Sequence, residues 1–77
     1  MKGKEEKDIY YKIGKNIKKY RIEKGLKQRE LADALFVSDS FIAKLESVTH
    51  QTIAIDTLEQ FAKVLGVDIK EFFNEID

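Results

Sequence analysis

The 77-residue sequence has no cysteine, no proline and no tryptophan, and only four glycines. Without cysteine there is neither a disulfide framework nor a thiolate-bound metal site. No Pro- or Gly-rich linker divides the chain, and no repeat or low-complexity segment interrupts it. Histidine occurs once, as His50. A metal ligand needs companions, so His50 reads as an exposed loop residue, and neither a metal nor a cofactor is expected. No Ser/His/Asp arrangement for nucleophilic catalysis is available, and carboxylates such as Asp56 and Glu59 read as solvated helix surface. The sequence is therefore not that of an enzyme. Apolar runs last only a few residues, too short to span a membrane. The charged start, Met1-Lys2-Gly3-Lys4-Glu5-Glu6-Lys7, lacks the apolar stretch of a signal peptide. A cytoplasmic protein is expected.

What is present is globular in composition: 43 % hydrophobic and 36 % charged residues. The length suits one small domain over residues 1–77, with 1–7 a candidate flexible arm. Fourteen basic side chains balance fourteen acidic ones. The balance hides an asymmetry. Residues 1–30 hold eleven basic and five acidic side chains, a net of +6, and residues 31–77 hold three and nine, a net of −6. One end can meet phosphate and the other would repel it, but a solvated basic helix explains the same numbers.

The apolar spacing is helical almost throughout. Ile9, Ile13, Ile17 and Tyr20 share one face of a helix from about Asp8 to Lys24, with lysines over much of the rest, and Gly25 ends it. A short helix follows from about Gln28 to Leu35, its stripe made by Leu31, Ala32 and Leu35. Its start is weak, because Lys27 stands where a Ser or Thr cap would serve better. Ser38 is positioned to cap a third helix, about Asp39 to Ser47, with Ile42 and Leu45 inward. Residues 48–54 have no period and read as a loop. Leu58, Phe61, Ala62 and Leu65 define a fourth helix from Ile55, ended by Gly66. Asp68 and Glu71 form a capping-box pattern that predicts a fifth helix carrying Ile69, Phe72, Phe73 and Ile76. Alternating strand patterns are scarce. The fold class expected is all-α, with five helices.

The informative segment is residues 28–47. Two short amphipathic helices joined by Phe36-Val37-Ser38 make a helix-turn-helix. Small Ala32 allows the second helix to approach the third, and Val37 can plug the gap between them. The sequence here resembles the Cro and phage-repressor (Xre-type) helix-turn-helix family. The resemblance runs through Ile13-Gly14, Ile17, Arg21, Lys24-Gly25-Leu26, Gln28, Glu30-Leu31-Ala32, Leu35, Val37-Ser38, Ile42, Leu45-Glu46, Leu58, Ala62, Leu65-Gly66-Val67 and Phe72. It covers about residues 12–73 and implies a five-helix, lambda-repressor-like domain.

The resemblance implies roles for particular residues. Gln28 and Arg29 would meet DNA at the start of the second helix, with Gln28 on a phosphate. The third helix would lie in the major groove and present Ser38, Asp39, Ser40, Phe41, Ala43 and Lys44. Lys44 is the candidate for guanine O6 and N7, and Asp39 for cytosine N4. Thr49, His50 and Gln51 would run beside the backbone. Arg21 and Glu46 match an internal ion pair of such repressors. Ile69, Phe72, Phe73 and Ile76 would either close the core or form a dimer seam. The expected partners are an operator duplex and a second copy, with no small-molecule ligand.

Three departures stand out from that pattern. The family often has Gly at the first turn position, where this chain has Phe36, so either the turn is reshaped or Phe36 is an exposed anchor. The loop after Glu46 lacks Lys and Arg from Ser47 to Thr52. The recognition helix has a single cation, Lys44. Because phosphate contacts supply most non-specific affinity, modest and salt-sensitive binding per monomer is expected. Two functional readings follow. One is a sequence-specific, homodimeric transcriptional regulator, expected to be a repressor, for which the resemblance admits a phage or mobile-element repressor and a restriction–modification controller. The other is a protein-interaction module, antitoxin-like or anti-regulator, that keeps the fold and has weak DNA affinity.

Overall fold

The computed structural model describes residues 9–47 and 51–75. It contains four α-helices: α1 (Ile9–Glu23), α2 (Gln28–Leu35), α3 (Asp39–Glu46) and α4 (Ile55–Leu65). A short 3-10 helix, Ile69–Phe73, follows them. No strand occurs among the described residues. The core gathers one stripe from each element: Ile13 and Ile17, Leu31 and Ala32, Ile42 and Leu45, then Leu58, Phe61, Ala62 and Leu65, closed by Phe72. Helix α1 packs against α3 and the 3-10 helix, while α2 packs against α3 and α4.

The helix ends follow local chemistry. Gly25 and Gly66 take left-handed backbone, with φ of 79° and 71°, and stop α1 and α4. Ser38 caps α3: its Oγ accepts from the Phe41 N–H at 3.1 Å. Lys27 has no oxygen to offer α2. Glu30 compensates, its Oε1 accepting from the Lys27 N–H at 2.8 Å.

The expected fifth α-helix is not formed. Asp68 caps the segment through the Lys70 N–H, at 3.1 Å. Glu71, however, does not complete a capping box. Its Oε1 accepts from the Tyr20 hydroxyl at 3.1 Å and from Asn74 Nδ2 at 2.7 Å. Asn16, buried on α1, donates from Nδ2 to the carbonyls of Phe72 (2.9 Å) and Asn74 (2.8 Å). Asn74 is extended, with ψ of 150°. The chain is thus drawn out of helical geometry at the point where an α-helix would have continued.

Phe72 also departs from the expectation of a dimer seam. It is fully buried within its own chain and meets Tyr20 edge-on, ring centroids 6.3 Å apart. An aromatic ring already packed on every side has no surface left for a second copy. Ile69 packs partly against the core, and Phe73 is 38 % exposed. Ile76 lies outside the described residues.

Candidate nucleic-acid interface

Helix α3 divides cleanly. Ile42 and Leu45 are buried, whereas Asp39, Ser40, Ala43 and Lys44 are exposed. The spacing i, i+1, i+4, i+5 places those four on one helical face. Ser38 is exposed at its head, and its Oγ also lies 3.2 Å from Ser40 Oγ. Phe41 is half-buried and packs against the core, so its ring is tied more to the fold than to the outer face. Asp39 in the first turn suits the positive end of the helix dipole, and Lys44 in the last turn suits the negative end. Arg29 is exposed on α2, and Gln28 is half-buried. Gln51 is half-buried, its Nε2 donating to the Thr52 carbonyl at 3.1 Å. Thr49 and His50 lie outside the described residues.

Behind this face, one carboxylate joins three elements. Glu46, the last residue of α3, is buried. Arg21 donates to it twice, from Nε to Oε2 at 2.6 Å and from Nη2 to Oε1 at 2.8 Å. The fork is bidentate, the strong geometry for this pair. It raises the Arg21 pKa above its ordinary value, against burial, which acts to lower it. The third nitrogen, Nη1, donates to the Leu26 carbonyl at 2.7 Å, fixing the joint between α1 and α2. Gln28 Nε2 donates to Glu46 Oε1 at 3.1 Å. Lys15 Nζ donates to the Glu46 backbone carbonyl at 2.9 Å, on the negative end of α3.

Sequence reasoning missed two of these residues. Lys15 stands among many lysines, and its distance from α3 is not encoded locally. Asn16 is a polar residue between Ile13 and Ile17 on the inward stripe, a pattern that signals a buried, hydrogen-bonded amide.

The turn keeps the geometry that suits glycine. Phe36 has φ of 58° and ψ of 40°, so the left-handed residue is present with a phenyl ring attached. That ring is 95 % exposed. Beside it, Leu35, Val37, Asp56, Thr57 and Gln60 line an open groove of about 220 Å³ between the end of α2 and the start of α4. Among the described residues, no group of three or more His, Cys, Asp or Glu side chains is placed to hold a metal ion. No helix among them is long and apolar enough to cross a membrane.

A helix-turn-helix family model, HTH_3, matches residues 17–72. The transcriptional regulator SinR of Bacillus licheniformis is 37 % identical over 65 residues, which are 84 % of this chain and 59 % of SinR. The transcriptional regulator PuuR of Escherichia coli strain K12 is 36 % identical over 62 residues, covering 80 % of this chain and 33 % of PuuR. The chain thus spans somewhat more than half of SinR and a third of PuuR. Among solved structures, SinR, the master regulator for biofilm formation, in complex with DNA superposes with a TM-score of 0.74 at 34 % identity, over 80 % of this chain and 98 % of that one. The clp gene regulator ClgR of C. glutamicum superposes with a TM-score of 0.80 at 25 % identity, over 87 % of this chain and 86 % of that one. With the helix-turn-helix formed by α2 and α3 and the family model matched over most of the chain, this protein belongs to the Xre-type helix-turn-helix family.

Proposed function

We propose that the protein is a sequence-specific DNA-binding transcriptional regulator, acting as a repressor on a two-fold operator as a homodimer. The observation that carries this reading is the exposed face of α3. Ser38, Asp39, Ser40, Ala43 and Lys44 stand free of the core, on a helix that Arg21 and Lys15 lock to α1. A rigid helix with a polar outer face can enter a major groove of about 12 Å width. SinR, similar to this chain over most of its length, has been solved with DNA bound.

Helix α3 would supply the readout: Lys44 toward guanine, Ser40 and Ala43 against neighbouring base edges. Gln28, Arg29 and the Ser38 end of α3 would hold phosphates, and residues 49–51 would follow the backbone. Contacts of this second kind fix register and supply salt-dependent affinity, while the first kind specify sequence. One cation on α3 gives little affinity per protomer, so two half-sites about 10 base pairs apart would be engaged together. The seam would use exposed Phe73 with Ile69.

The test is a fluorescence-anisotropy titration with the DNA immediately upstream of the protein's gene, beside random DNA, at low and physiological salt. Tight binding to the upstream DNA that survives added salt, at two protomers per site, is the expected result. Equal, salt-erased binding to both DNAs would remove the upstream region as its operator.

Phe36 favours a second reading, a protein-interaction module. A 95 % exposed phenyl ring at the turn is a feature that DNA binding does not require. Absence of DNA binding even at low salt would select this reading, and a pull-down for a partner would follow.

A further inference from the structure

We infer that Glu46 is a positioning residue for the phosphate contact of Gln28: it fixes which atoms of the Gln28 amide face outward. The inference rests on the DNA-binding reading above and concerns how the first residue of α2 is prepared for a phosphate.

Glu46 stands at the far end of the motif from Gln28 in sequence, yet its Oε1 accepts from Gln28 Nε2 at 3.1 Å. The same carboxylate is held by Arg21 from the other side, at 2.6 and 2.8 Å, and is buried. An ionised carboxylate only accepts, so the amide must present nitrogen to it, not oxygen. That removes the ambiguity of a free glutamine, whose amide can rotate to offer either atom to a passing group. The amide nitrogen carries two hydrogens, and Glu46 uses one. The second remains a donor, and a phosphate oxygen is the acceptor that fits it. Without Glu46, half of the amide's orientations would turn its oxygen toward the phosphate, and two acceptors would face each other.

The backbone at this point agrees with the same ligand. The first hydrogen bond of the α2 ladder runs from the Leu31 N–H to the Lys27 carbonyl, so the Gln28 and Arg29 N–H groups precede the ladder. Arg21 matters twice. It neutralises a carboxylate that would otherwise repel the phosphate, and it leaves that carboxylate able to hold Gln28. An ion pair that serves as a strut between α1 and α3 is thereby also a gauge for the first turn of α2.

A phosphate contact is independent of sequence, so a random labelled duplex of about 30 base pairs at about 50 mM salt is a sufficient probe. Four chains are compared: wild type, Gln28→Ala, the paired change Arg21→Met with Glu46→Leu, and all three substitutions together. The paired change leaves the net charge as it was and removes every side-chain acceptor at position 46, so the informative quantity is the effect of Gln28→Ala in each background. The expected loss is about five- to ten-fold in wild type, the scale of a net hydrogen bond of about 1 kcal/mol, and under about two-fold in the paired background. A loss of strength common to both backgrounds would overturn the inference, because Gln28 would then act without Glu46. So would no loss in wild type. Thermal unfolding of each chain, read separately, reports the purely structural effect, which does not depend on the presence of DNA. If no wild-type binding occurs at low salt, the DNA-binding reading itself fails, a result distinct from the other two.

If the Arg21→Met, Glu46→Leu chain does not fold, the wild-type chain alone decides the matter by NMR. One of the two Gln28 side-chain amide protons is expected to lie displaced from its free-glutamine position in the free protein, and only the other is expected to move on adding the duplex. Both protons at their free-glutamine positions would overturn the inference.

Discussion

Gly14 on α1 stands directly against the carbonyl oxygen of Leu45 on α3, and a Cβ built at position 14 would overlap that oxygen. Glycine in a helix interior ordinarily weakens the helix, and replacing it with alanine gains about 0.5–1 kcal/mol. Here the sign reverses. The obstacle is backbone, so it cannot rotate aside, and α3 would have to move away from α1. Gly14→Ala is expected to destabilise by about 1–3 kcal/mol or more, the range for overpacking. Urea denaturation measures it. A more stable Gly14→Ala chain would show that the two helices separate at no cost.

Phe36 predicts the opposite outcome for a substitution to glycine. Its left-handed backbone costs an L-residue roughly 1–2 kcal/mol, and its exposed ring buries nothing in return. Glycine removes that strain and adds some freedom to the unfolded chain. Phe36→Gly is expected to gain about 0.5–1 kcal/mol, a rise of several degrees in Tm for a domain of this size. Phe36→Ala keeps a Cβ and is expected to gain little. A loss of stability in Phe36→Gly would mean that the ring makes a contact in the folded chain.

How legible this molecule is from its sequence depends on whether the signal is local. Ile13 and Ile17, Leu31 and Ala32, and Leu58 through Leu65 announce their helices by spacing alone, and Gly25, Ser38 and Gly66 mark ends. The pairing of Arg21 with Glu46 is read only through a family resemblance, because 25 residues separate them. The carbonyls that Asn16 holds lie 56 and 58 residues away, so neither its role nor the 3-10 geometry at Ile69–Phe73 is visible in a window. For Phe72 the apolar pattern marks burial but does not distinguish a core from a subunit seam.

Asn16 therefore predicts a large effect at a position the apolar stripe would otherwise assign to a hydrophobe. Asn16→Leu would preserve burial and remove both donors, leaving the Phe72 and Asn74 carbonyls without this partner. An unsatisfied buried group costs about 1–3 kcal/mol. The expected loss is about 2–4 kcal/mol, measured by denaturation, with amide exchange quickening first in residues 69–74. Exchange that quickens evenly across the chain would count against a local latch.

The Arg21–Glu46 pair predicts non-additivity. Removing either partner leaves the other charge buried, at about 3–5 kcal/mol. Removing both, as Arg21→Met with Glu46→Leu, leaves no stranded charge, and the double change is expected to cost much less than the sum of the singles. Denaturation of the four chains gives the coupling directly. Additive losses would mean that each residue acts through separate contacts, Arg21 through Leu26 and Glu46 through Gln28.

Lys44 decides what kind of contact α3 makes. It is exposed in the last turn, on the same face as Ser40 and Ala43, and it is the only cation on α3. If it donates to a guanine, Lys44→Ala is expected to weaken operator binding by about 1–3 kcal/mol while random DNA loses less. If it meets a phosphate, both DNAs lose affinity alike and the salt slope falls by about one. The experiment is a pair of anisotropy titrations across salt, one with each DNA. The side chain is exposed and gives up only its place at the negative end of α3, so stability is expected to fall by no more than about 0.3–1 kcal/mol, and unfolding does not imitate a change in binding. No loss on either DNA would remove Lys44 from the interface and leave Ser40, Ala43 and the shape of the duplex to carry the readout.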